Sequence, residues 1–348
     1  MSRKARNGTV GLNPASFQIR TVPEFIYKES DQVWPNEKHQ LIEAISDTES
    51  WSFYLVMIGA GKPLRPLSAK VELISDAGIV KSFVFSKDYL EHISRCLPEK
   101  KIDLLLWNHF CEPRSLEVNK LHCTLEVQDD EGNRFGKSVE VQLKRYEQKT
   151  KLIFPLKGRL VIAGGHEYNE GHRWERSQFY AFDVFPIGPK GELLLGNGTK
   201  NEDWWGYGTP VIAPADGKVV HARDDIPENE KPGSLPRKDF YEQFPNPLNA
   251  VAGNNIIIDH GHGEHSFLAH LQHGSVIVRK GEKVRQGQKI GCVGNSGNSD
   301  APHLHYHLMD GPEIFQSNGL PSCFENLEVL GLGGKITSPK RGLFLVAK

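Results

Sequence analysis

"APHLHYHL", residues 301–308, sets histidines at every second position, His303, His305 and His307. In an extended strand successive side chains point to opposite faces, so the three imidazoles project from one side at a pitch of roughly 6.5–7 Å. Leu304, Tyr306 and Leu308 project from the other. The stretch reads as a strand with an apolar back packed on a core and an imidazole front. That pitch is too long for one small ion to be held by His303 and His305 unaided. It does let one of them bind metal while its neighbour reaches a ligand of that metal, which points to zinc with a nearby base. A polar strand face that merely happens to be rich in histidine is the competing reading of an H-x-H taken alone.

The rest of the chain has the same β texture. Runs such as "SFYLVMIG" (52–59), "AKVELISDAGIVKSFVFS" (69–86) and "KLHCTLEVQDDEGNRFGKSVEVQLK" (120–144) are strands punctuated by Asp- and Gly-containing turns. They predict a β-sandwich-like domain over residues 25–148, after an N-terminal extension at 1–24, with one short helix near "KDYLEHISRCL" (87–97). Residues 149–348 read as a second, multi-sheet β domain of short strands and Gly-rich turns. A Pro-, Asn- and charge-rich insertion at 223–253 interrupts it. Loops of that length are functional walls or flexible excursions, and "FYEQF" (240–244) carries enough aromatic surface for a wall. As a wall, its residues 227–247 would be replaceable by a short linker with little change in stability or metal content.

Composition bounds the function. With 348 residues, 38% hydrophobic and 24% charged, the chain can bury a sizeable core and holds two domains. A formal charge of −1 gives no basic footprint for phosphate backbones, so nucleic acid is not an expected partner. The longest apolar runs, such as "FYLVMIGA" (53–60), fall far short of the roughly 20 residues of a membrane span. The basic N-terminus is followed by no apolar run, so no secretory signal is visible in it. Five scattered cysteines, Cys96, Cys111, Cys123, Cys292 and Cys323, suit neither a disulfide framework nor a Cys-based zinc site, and Cys292 in "IGCVG" reads as a small core residue.

Eleven of the fifteen histidines lie between His166 and His307, which concentrates imidazole chemistry in the second domain. His260, His262 and His265 flank a "GHGEH" turn and read as solvated. His270 in "LAHL" shares a strand face with Leu268, where an imidazole is either a satisfied core group or an active-site base. His307 lies too far from His303 for shared coordination and reads as a supporting or rim residue. Trp174, Trp204 and Trp205 either pack in the core or wall a groove. No H-E-x-x-H occurs, so a glutamate base of that type is absent.

"GYGTPVIAPADGKVV", "GNNIIIDHG", "FLAHL", "VRKGEKVRQGQKIGCVGNSGNS" and "APHLHYHL" occur in that order, and together they resemble the lysostaphin-type zinc endopeptidase family. The resemblance covers residues about 160–312 and not the N-terminal β region. It implies a Zn2+ cofactor held by His305, by Asp183 of "FYAFDV" and by an upstream histidine, matched by His172. The eleven residues from His172 to Asp183 exceed the His-x-x-x-Asp spacing of compact relatives, and His166 is the alternative. It further implies that His270 and His303 are the catalytic pair, and that the chain hydrolyses peptide bonds, in peptidoglycan cross-links, outside the cytoplasm. A catalytically silent relative that binds cell wall or a protein partner is the alternative. A biotinyl-type carrier domain, suggested by "PADGKVV" and "GEKVRQGQKIG", lacks the modifiable lysine at a hairpin tip.

Overall fold

The computed structural model describes residues 17–22, 26–30, 48–58, 64–95, 105–165, 172, 175–331, 334–339 and 341–348. The chain is mainly β and divides into two compact units, one of residues 1–26 and 51–144, the other of 27–50 and 145–348. Among the described residues no helix is long and apolar enough to cross a membrane.

In the first unit the strands Gly78–Ser86, Arg65–Ser75, Lys120–Gln128 and Arg134–Arg145 pair antiparallel in that order. Period-2 patterning drives this: Ala69, Val71 and Leu73 are buried while their neighbours are half-exposed. A second group holds Gln18–Val22 against the strand that continues from Trp51 to Ile58. Phe110 stacks on Trp51 and Phe53 and meets Phe83 of the first group edge-on, so the two groups share one aromatic core. The helix read near 87–97 is Lys87–Arg95 in the structure.

The second unit is built on one large sheet. Its central strands run in the order Gly217–Arg223, Asn254–Asp259, His265–Leu271, Leu304–Met309, Phe182–Pro186 and Gly158–Gly164, each antiparallel to the next. Leu304, Tyr306 and Leu308 are fully buried on the core face with Leu268, Phe182 and Val184. The short sheet of Pro210–Ile212 with Lys289–Cys292 contributes Val211 and Ile290 to the same core. Burial of such side chains stabilises by about 1.5–3 kcal/mol each. A one-residue slip would exchange them for imidazoles, so the alternation locks the register and keeps the histidine front outward.

Candidate functional site

The register places the acid. Asp183 pairs directly with His305, and Phe182 and Val184 pair with Tyr306 and Leu304, so the one carboxylate in an apolar strand lands beside the central imidazole of the opening stretch. His172, upstream of the 3₁₀ turn Arg176–Gln178, completes the group. Its Nε2 lies 3.2 Å from both Asp183 Oδ1 and His305 Nδ1, and His305 Nδ1 lies 3.0 Å from the same carboxylate oxygen. The candidate ligand atoms of His172, Asp183 and His305 all fall within 4.8 Å of one another and could hold a metal ion. His166 lies outside the described residues, as does Trp174.

His303 sits just before the strand, bridged to Gly294, and its Nε2 is 3.4 Å from Asp183 Oδ1. Its Nδ1 is 2.7 Å from the Ala301 carbonyl and 3.2 Å from Ser299 Oγ. On the outer side Phe185 stacks nearly parallel to the ring at 5.1 Å, with Trp204 beyond it. Trp205 instead packs against Gly188, where a Cβ would come within 2.6 Å of the indole.

His270 corrects the sequence reading. Simple alternation puts it on the core face with Leu268, but its φ is +61°. The strand bulges there: Ile256 pairs with Leu268 and Asn254 with Leu271, leaving two residues opposite one. The left-handed residue turns the imidazole to the histidine front, 4.9 Å from the His303 ring and 5.8 Å from His305. Histidine tolerates this conformation better than most side chains, and the Ser296 carbonyl accepts from Nδ1 at 2.9 Å to hold it. Since Nδ1 of both His270 and His303 faces a backbone carbonyl, the neutral forms of both rings leave Nε2 free to accept.

His307 is fully buried rather than on a rim, and its Nδ1 lies 3.0 Å from His305 Nε2. This fixes the orientation of His305 and directs its other nitrogen toward Asp183. The turn His260–His265 is not a solvated patch either. His260 bonds the Asp216 carbonyl and Ser266 Oγ, and His265 is buried; only His262 is exposed. Cys292 is half-buried rather than a core residue, and Cys123 and Cys292 are free thiols. Cys96 and the Cys111 side chain lie outside the described residues.

Electrostatics follow the packing. Burial alone would raise the Asp183 carboxyl, but His172 and His303 beside it hold it well below the ordinary range. Burial pushes His305 down to about 4, with the Asp183 hydrogen bond only partly offsetting it. His303 also pays desolvation, yet Asp183 carries it above the usual value. Burial, then the neighbouring His303 and His305, drive His270 well below it.

Within the stretch 227–247 the insertion is tied to this site through Glu228 and Asn229. Glu228 accepts from the backbone of His273 and Asn295, and buried Asn229 donates to the carbonyls of Gly297 and Ser299. Asn295, Gly297 and Ser299 belong to the turn that carries Ser296, and His273 follows the strand that carries His270. Ile226, Tyr241 and Ala250 form a small core of their own, and Arg223 clamps the return through Asn249. Sequence reasoning missed Asn229, Ser296 and Phe185 as residues that position the histidines. A polar residue in a long Pro-rich segment carries no local signal of such contacts.

A mainly β unit with a His₂Asp group and two flanking imidazoles is the architecture of a metallopeptidase-like domain. Residues 205–316 match Peptidase family M23, so the chain carries a domain of the M23, lysostaphin-type family. His172 and Asp183 lie N-terminal to the matched segment. Similar proteins include the peptidoglycan DD-endopeptidase ShyA of Vibrio cholerae, 34% identical over 29% of this chain and 18% of that protein. Another is the glycyl-glycine endopeptidase ALE-1 of Staphylococcus capitis, 30% identical over 46% of this chain and 36% of that protein. The chain thus spans well under half the length of these curated relatives. Among solved structures, the catalytic domain of lysostaphin from Staphylococcus simulans aligns with 47% of this chain and 88% of its own, at 21% identity and a TM-score of 0.27.

Proposed function

We propose that this chain is a zinc-dependent endopeptidase that hydrolyses peptide bonds in peptidoglycan cross-links outside the cytoplasm, with the first β unit as an accessory domain. The observation that carries the reading is the convergence of His172, Asp183 and His305 beside two further imidazoles. The donor set fits zinc: two imidazole nitrogens and one carboxylate oxygen, no thiolate, and a fourth tetrahedral position left to water or substrate. The fit is visible in two ring nitrogens that face each other at 3.2 Å across one carboxylate oxygen, a convergence of lone pairs that a cation satisfies. Zinc bound there supplies Lewis acidity and lowers the pKa of water toward about 7.

The chain's own residues do the rest. Of His270 and His303, one accepts the proton of the attacking water and the other donates to the oxyanion as it forms. Their fixed Nδ1 contacts keep both Nε2 atoms in place without reorganisation. The names of the similar proteins, which specify peptidoglycan and glycyl-glycine endopeptidases, support the substrate class.

Digestion of purified sacculi by the zinc-loaded chain, with mass spectrometry of the released fragments, tests the proposal and identifies the bond. Release of new amino and carboxyl termini is the expected result. Zinc-loaded protein that binds sacculi but leaves them and all test peptides intact would overturn it in favour of a silent binder.

A further inference from the structure

A cavity of about 440 Å³ lies on the sheet between the insertion and the loop 312–316, and the metal-site residues do not line it. It begins one step beyond the histidine front. Phe267 touches the rings of His305 and His307, pairs with Ile257, and belongs with Ile257 and Ile314 to one apolar cluster. Ile257 and Ile314 also line the cavity, so its apolar floor continues the face that carries the proposed catalytic group.

Its polar lining is unbalanced. Asp259 and Glu313 contribute two carboxylates and Lys280 one ammonium. His221 and His265 also line it, and each has a buried ring nitrogen without a hydrogen-bond partner. Burial holds both imidazoles below their ordinary value, so they add no positive charge near neutrality. Leu248 of the insertion, 63% exposed, stands at the wall. An aliphatic floor, an acid surplus and unspent imidazole hydrogen bonds match a long aliphatic side chain that ends in an amine. A volume of this size takes about one or two residues of a peptide.

We propose that this cavity is a specificity pocket for an amine-bearing side chain of the peptide substrate, with Asp259 and Glu313 as its ammonium-binding groups and the insertion as its wall. The proposal rests on the peptidase reading for the word substrate, but its test does not depend on cleavage.

The test uses two synthetic hexapeptides, one containing a lysine and one with that lysine Nζ-acetylated. Each is titrated calorimetrically into the zinc-loaded full chain carrying His270→Asn, which slows turnover by about 10² or more. The lysine peptide should bind about tenfold tighter than its acetylated form, the scale of one satisfied charge. Glu313→Gln and Asp259→Asn should each remove most of that difference. Asp259 also accepts from the Gly261 backbone, an acceptor role asparagine keeps; if that variant fails to fold, exposed Glu313→Gln decides alone. Equal affinity for the two peptides, or a preference unchanged in Glu313→Gln, overturns the pocket. Failure of the wild type to cleave sacculi or peptides overturns the peptidase reading instead and leaves a measured amine preference standing.

Discussion

The imidazoles of His270 and His303 lie 4.9 Å apart, each tied through Nδ1 to a backbone carbonyl, that of Ser296 for one and of Ala301 for the other. Both carbonyls sit in one turn after Gly294, so a single loop sets both rings. Removing either ring should lose about 10² to 10⁴ in rate, the size of general acid–base effects. His303→Ala suits one site; His270→Asn suits the other, because asparagine accepts the left-handed backbone. Zinc content by atomic emission should stay near the wild-type value in both. Loss of metal together with rate would show that these residues act as ligands and not as the catalytic pair.

Gly164 offers a way to disturb the proposed metal group without touching a proposed ligand. It pairs with Asp183, and a Cβ at Gly164 would come within 2.4 Å of Asp183 Oδ2. Gly164→Ala should therefore displace the carboxylate and lower zinc affinity, by about the 10- to 100-fold typical of disturbed metal surroundings, while thermal unfolding of the zinc-free protein changes little. Competition with a chelator measures this. Wild-type affinity in Gly164→Ala would argue that Asp183 is not a ligand.

Glu264 sets a pH dependence away from the site. It is almost fully buried and accepts from the Tyr146 hydroxyl at 2.5 Å and from the backbone of Lys149 and Thr150 at 2.7 Å. Burial alone would raise its carboxyl, but these donors outweigh it and hold the group below the ordinary 4.5. A depressed folded-state value means that the stabilisation is present above the unfolded value and is lost as pH falls through the folded one. Denaturant unfolding of Glu264→Gln should show a loss of about 1–3 kcal/mol at pH 7 that narrows on acidification below 4.5. Parallel curves for variant and wild type down to pH 3 would contradict this role.

How much of this was legible in the sequence depends on how local the cause is. The front and back of residues 303–308 follow from period-2 alternation, and the isolated acid of "FYAFDV" from the same rule. His270 escapes that rule because its cause is distant. A Cβ at Gly253 would meet the Ser296 carbonyl at 2.3 Å, and one at Gly297 the Gly253 nitrogen at 2.3 Å. This close backbone contact, between segments far apart in sequence, lies beside the bulge that carries His270. The Asp216 carbonyl that holds His260 is distant in the same way, and His307 is buried against Phe267 of the neighbouring strand.

Asn229 tests whether the insertion supports the chemistry. It is buried, donates through Nδ2 to the carbonyls of Gly297 at 3.0 Å and Ser299 at 2.8 Å, and accepts at its own carbonyl from Asn201 Nδ2. Those two carbonyls lie in the turn whose Ser296 carbonyl holds His270 and whose Ser299 hydroxyl lies against His303. Asn229→Ala leaves them without their donor in a buried place, at a cost of about 1–3 kcal/mol. The turn relaxes, and both imidazoles lose their setting. The expected result is a fall of about tenfold or more in kcat with zinc content unchanged, because a small displacement of a general base is enough to cost that much. Asn229→Asp separates positioning from bulk. It keeps the volume but replaces the amide donor by an acceptor, and it should depress kcat at least as far as alanine does. Wild-type kcat in both variants, with stability reduced, would confine Asn229 to the fold and detach the insertion from catalysis.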